Sequence, residues 1–159
     1  MEFAANNGME AFQSVRQFLG KGDWDAEEIP GQYTFKATAE GELCPQVYYF
    51  QIKVELGQFL FYIVPVITLL PDMFPAVAEF IARANFGMRI GNFELDYEGC
   101  QVMVRSSINF KGVPLSETLI EGVISPALEA YKEFFPGLAQ VIAGTNTPSH
   151  AIRVIEYGE

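Results

Sequence analysis

Apolar and polar positions follow two periods along this chain, and the changes of period mark its elements. From Asn92 to Ile108 the period is two. Phe93, Leu95 and Tyr97 alternate with Asn92, Glu94, Asp96 and Glu98. Beyond Glu98-Gly99, Val102, Val104 and Ile108 alternate with Met103, Arg105 and Ser107, and Ser106 breaks the apolar row. That pattern predicts an antiparallel hairpin with one buried face. Three strands are predicted upstream. Gln32 to Thr38 places Tyr33, Phe35 and Ala37 on one face. Val47 to Val54 sets Tyr48, Phe50, Ile52 and Val54 against Tyr49, Gln51, Lys53 and Glu55. Phe59 to Val64 is almost uniformly apolar, as expected of a strand covered on both faces or buried between neighbours. Pro65 cannot donate to a ladder, which puts it at an edge or at the strand's end.

Elsewhere the period is that of a helix. Met9, Phe12, Val15, Phe18 and Leu19 form one stripe, ended by Gly20 and Gly22. Asp23 to Pro30 reads as an acidic connector, with Trp24 capping the core. Asp72 is the expected N-cap of a second helix carrying Pro75 in its first turn. Phe74, Val77, Phe80, Ile81 and Ala84 form its stripe, and Gly87 its left-handed C-terminal cap. Pro114 and Ser116 open a long helical region in which Leu115, Leu119, Val123, Leu128 and Tyr131 recur. Pro126 is expected to kink it, and Pro136 to start a new turn or short helix. After the connector Gly144 to Pro148, Ser149 to Tyr157 is expected to form a short helix.

The order helix, three strands, helix, two strands, helix predicts an α+β fold, a five-stranded antiparallel sheet with helices packed on it. A chain of 159 residues suits a single domain spanning 1–159, with its compact core at about 9–143 and a C-terminal tail at 144–159.

Charge narrows the function. Ten basic residues are scattered among twenty acidic ones, for a net charge of -10. Nucleic acid is a poor partner for such a surface, because phosphate binding requires clustered Lys and Arg. An anionic membrane surface is excluded on the same ground. The apolar run Phe59 to Leu70 is shorter than the ~20 residues a membrane span needs. With no secretory signal at Met1-Glu2-Phe3, the expectation is a soluble, reduced, cytoplasmic protein whose Cys44 and Cys100 are free and buried.

No reactive constellation emerges. His150 is the only histidine and falls in the expected tail, which leaves a triad or zinc site without partners. Cys44 and Cys100 lack CxxC spacing. Glu94, Asp96 and Glu98 share a strand face at a spacing that a calcium ion could use. A solvated face paired with Arg105 or Lys53 is the ordinary alternative. Gly87 to Gly91 lacks the following helix of a phosphate loop. No catalytic residue, metal or cofactor is therefore assigned.

The element order, together with Ile90-Gly-Asn-Phe-Glu-Leu-Asp96 and Leu115 to Ile142, resembles the YbjN-like family. The most specific pieces are Asn85-Phe86 before Gly91-Asn92-Phe93, and Tyr131-Lys-Glu-Phe-Phe-Pro136. The family is similar in fold to type III secretion chaperones. The resemblance implies a compact, often dimeric α+β module without a cofactor, chaperone-like or regulatory in role. The resulting expectation is a non-catalytic protein-binding homodimer. If the outer face of the sheet stays open, Tyr49, Met103 and Arg105 are the candidate contacts, aromatic residues, Met and Arg being enriched at interfaces. The alternative is a small-molecule-binding or enzymatic domain with a pocket between sheet and long helix.

Overall fold

A computed structural model describes residues 2–159, with side chains from Asn7 onward. The chain runs α1 (Glu2–Lys21), β1 (Glu27–Ile29), β2 (Thr34–Ala39), β3 (Gln46–Lys53), β4 (Gln58–Pro65), a 3₁₀ turn (Pro71–Met73) and α2 (Phe74–Gly87). It continues through β5 (Asn92–Asp96), β6 (Gln101–Asn109), α3 (Glu117–Ile142) and α4 (Pro148–Tyr157). The strands form one antiparallel sheet in the order β1-β2-β3-β4-β6-β5. The fold is α+β with the helices packed on the sheet, as the periodicity predicts. The sixth strand, β1, lies inside the expected acidic connector. Three residues, two of them Glu, are too few to display alternation.

One face of the sheet and the helices share the core. Phe35, Phe50, Phe59, Phe61, Phe93, Val102 and Val104 are buried there with Phe80, Ile120, Ile124 and Leu138 from the helices. Trp24 caps one end, edge-on to Tyr48, Phe50 and Phe61 at centroid distances of 5.3, 5.1 and 6.4 Å. On α1 the buried stripe is Ala11, Phe12, Val15 and Leu19, with Met9 turned outward.

Several local expectations change. Asp72 does not cap α2: it sits in the 3₁₀ turn, Met73 is the N-cap without a side-chain bond, and Pro75 occupies the second helical position. Gly87 is still helical, and the chain leaves through the extended Met88. The left-handed residue is Gly91 (φ 76°), where an added Cβ would stand 3.0 Å from the Arg105 carbonyl oxygen. Ser116 does cap α3, its side chain accepting from the Leu119 N–H at 3.2 Å. Both Pro126 and Pro136 lie inside that one helix, so Pro136 starts nothing new. Each proline costs an intrahelical hydrogen bond. Burial of Ala127, Tyr131, Phe134, Phe135 and Leu138 around them holds the helix together. The segment 144–159 is expected as a tail, yet α4 packs on α2 and α3 and buries Ala151 and Ile152.

Candidate functional site

The second face of the sheet carries no helix among the described residues. Strand register lines up a row across it: Glu27, Lys36, Tyr49, Tyr62, Arg105 and Asn92, one residue from each strand. Val47, Gln51, Leu60, Val64 and Met103 flank that row and are half-buried. Ordinarily the open face of an antiparallel sheet is polar. This one has an apolar centre.

The signal lay in β4. Its uniform apolarity suggested cover on both faces, but burial alternates: Phe59, Phe61 and Ile63 are inside, while Leu60, Tyr62 and Val64 face the open side. A central strand gains the first set from the core. Nothing in the described chain accounts for the second. Sequence reasoning named Tyr49, Met103 and Arg105 but passed over Leu60, Tyr62 and Val64 by assigning both β4 faces to the interior.

The structure places the three named residues on this face. Tyr49 and Met103 line one shallow concavity of about 340 Å³ with Thr34, Gln51, Tyr62 and Val64. Arg105 stands beside it, opposite Tyr62, and its Nη2 meets Glu94 Oε1 at 2.6 Å. Asn92 Nδ2 donates to the same Glu94 oxygen at 3.3 Å. Arg105 is thereby tethered to Glu94 on the neighbouring strand.

Charge on the face is balanced. Lys36, Lys53 and Arg105 are offset by Glu27, Glu94 and Asp96, whereas the whole chain carries -10. The excess negative charge therefore lies elsewhere on the molecule.

The edge beside this face is closed locally. Strand β5 ends the sheet, and the Asn85 carboxamide from α2 takes up both backbone groups of Phe93. The Phe93 N–H donates to Asn85 Oδ1 at 2.7 Å, and Asn85 Nδ2 donates to the Phe93 carbonyl at 3.1 Å. The amide thus acts as a one-residue substitute for a neighbouring strand.

The remaining candidates are not brought together. Glu94 pairs with Arg105, Asp96 Oδ1 accepts from the Glu98 N–H at 3.0 Å, and no group of three potential metal ligands occurs among the described residues. Cys44 and Cys100 are free and half-buried rather than fully buried. His150 is exposed in the first turn of α4, its Nδ1 2.8 Å from Asn146 Oδ1.

A family model described as "YbjN: Putative bacterial sensory transduction regulator" matches residues 12–140. The chain belongs to the YbjN family. The YbjN match takes in all six strands, Asn85, and the open face, and it stops within α3, before α4. No curated protein sequence matches the chain. Among the described residues no helix is long and apolar enough to cross a membrane.

Proposed function

We propose that this YbjN-family protein is a non-catalytic, regulatory or chaperone-like module that binds protein through the open face of its sheet. It acts in the cytoplasm as a homodimer, and Tyr49, Met103 and Arg105 form the contact with Tyr62 between them. The supporting observation is the Tyr49–Tyr62–Arg105 row on an uncovered, charge-neutral face of a strongly acidic chain. Two copies carrying -10 each repel over most of their surface. A neutral apolar face is where a second copy can approach without that cost. Aromatic and Arg anchors held by neighbours are the residue types that dominate interface energetics. The family's description as a regulator of sensory transduction agrees with a role exercised through binding.

The test compares wild type with Met103→Asp and Arg105→Glu by light scattering across a concentration series. A carboxylate at position 103 stands directly opposite Glu94 and introduces unpaired charge into the apolar centre, and Glu at 105 replaces the Glu94 ion pair with a like-charge contact. Dimerisation should fail in both variants while the melting transition stays cooperative. Dimers of unchanged strength in both would remove this face from the proposal.

A further inference from the structure

Two copies paired through the open face can be laid together in several ways, and the charges of the face discriminate among them. Strand register places Glu27 on β1, Lys36 on β2, Lys53 on β3, Arg105 on β6, and Glu94 and Asp96 on β5. The outward residues of β4 are Gln58, Leu60, Tyr62 and Val64, none of them charged. On this face, therefore, no strand carries both signs.

Sheets packed face to face keep their strand directions within about 30° of each other, so a two-fold axis runs along the strands or across them. An axis across the strands lays each strand on its own copy. Because each charged strand has one sign, no opposite charges then meet on facing strands. An axis along the strands lays different strands on one another, and its position decides which. Midway between β3 and β4, it would set Lys36 over Arg105 of the second copy, and Glu27 over the Asn92–Glu94 end of β5. Both are unfavourable juxtapositions of like charge. An axis on β3 would set Lys53 over itself and leave β5 uncovered.

On β4 these conflicts disappear. Strand β3 then meets β6 of the second copy, with Tyr49 over Arg105 and Val47 over Met103. Strand β2 meets β5, with Thr38 over Glu94, and with Lys36 over Asn92, two residues along from that carboxylate. Lys53 falls over Asn109, away from Arg105. Within its own chain Glu94 meets Arg105 and Asn92 through Oε1, and Oε2 is the oxygen that a second copy would reach.

We propose that the dimer's two-fold axis runs along β4, so that β2 of each copy lies over β5 of the other and Glu94 receives the basic side chain of Lys36 from the second copy. This inference rests on the reading of the open face as the dimer surface. The occupant is a second copy because the face complements itself in this one placement: apolar residues meet apolar ones, a guanidinium meets an aromatic ring, and an ammonium meets a carboxylate.

The experiment measures the dimer dissociation constant of the full chain by sedimentation equilibrium. Thr38→Lys puts a second ammonium opposite Glu94 of the other copy and should tighten pairing about fivefold, the new contact being made twice and an exposed ion pair being weak. Thr38→Glu should loosen it by a similar factor. Thr118→Lys, on the exposed side of α3, makes the same change of net charge away from the face and should do much less. A short bismaleimide should join position 60 of one Leu60→Cys copy to position 60 of the other, as read by mass spectrometry, since facing sheets stand ~10 Å apart. Lys36→Cys should not join itself, because the two positions stand four strands apart, ~19 Å. A wild type that does not pair, or that pairs equally well as Met103→Asp, would remove the open-face reading and this axis with it. A dimer that Met103→Asp disrupts, but in which Thr38→Lys matches Thr118→Lys, or position 36 joins itself while position 60 does not, would overturn the axis alone.

Discussion

Replacing Asn85 with alanine isolates the device that closes the β5 edge. The substitution removes two hydrogen bonds, of 2.7 and 3.1 Å, and leaves the Phe93 N–H without a partner and its carbonyl with only the Asn92 Nδ2 bond at 3.3 Å. Each bond is worth roughly 1 kcal/mol net in a folded protein, so the loss should be about 2 kcal/mol. Alanine's higher helix propensity returns only about half a kcal/mol at this near-terminal helical position. For a chain of this size, ~2–4 °C of melting temperature accompany each kcal/mol, and the transition should fall by about 3–6 °C. In urea the midpoint should drop by roughly 1 M at unchanged slope. Asn85→Asp separates the two bonds, because its carboxylate can accept from the Phe93 N–H but cannot donate to the Phe93 carbonyl. It should fall at least as far as half the alanine loss. Amide exchange supplies the local readout: Phe93 should lose protection in Asn85→Ala while Val104, across the ladder, keeps most of its own. A stability change under ~0.5 kcal/mol with Phe93 still protected would show that the carboxamide does not stand in for a strand.

Two glycines of opposite surroundings should respond with opposite signs to alanine. At Gly8 a Cβ would overlap the Val54 carbonyl oxygen, a backbone atom that only movement of the backbone can relieve. Gly8→Ala should therefore lose about 1–3 kcal/mol in denaturant titration despite the helical gain. Gly122, inside α3, has nothing within 4 Å of that position, and Gly122→Ala should gain ~0.5–1 kcal/mol. Alkaline titration should expose Tyr131. Its phenol's pKa is raised on folding above the ordinary value of 10.0, chiefly by desolvation, so the native state holds a proton that the unfolded state releases. Its contribution is intact below pH ~10 and declines above it, by at most about 1.4 kcal/mol per pH unit. Thermal melts from pH 9 to 11.5 should show a shallower fall for Tyr131→Phe than for wild type; parallel curves would contradict the assignment.

The architecture was legible wherever alternation ran long enough to be seen. Val47 to Val54 and the hairpin from Asn92 to Ile108 show period two in the sequence, and Tyr48, Phe50, Ile52, Phe93, Val102 and Val104 point inward as expected, whereas Tyr97 lies in the turn and is exposed. Failures came where tertiary packing overrode a local signal. Pro136 reads as a break, yet Phe134, Phe135 and Leu138 around it are buried and carry the helix through. Gly87 reads as a cap, but α4 packs there, and a Cβ would meet Glu156 Oε1 at 2.9 Å. For the site, polarity alternation singled out Tyr49, Met103 and Arg105, and cross-strand register brings them to one face. Leu60, Tyr62 and Val64 were hidden because an all-apolar strand has no visible sidedness. The Asn85 bridge was beyond reach, since it joins a helix end to an edge strand through a geometry that no period encodes.

The most direct test of the central claim is the solution mass of the wild type beside that of a Tyr49→Asp/Met103→Asp double variant, by sedimentation equilibrium at micromolar concentration. The account predicts twice the 17.7 kDa chain mass for the wild type and the single-chain mass for a variant with an unchanged circular dichroism spectrum. A monomeric wild type, or a folded variant that still pairs, would contradict it.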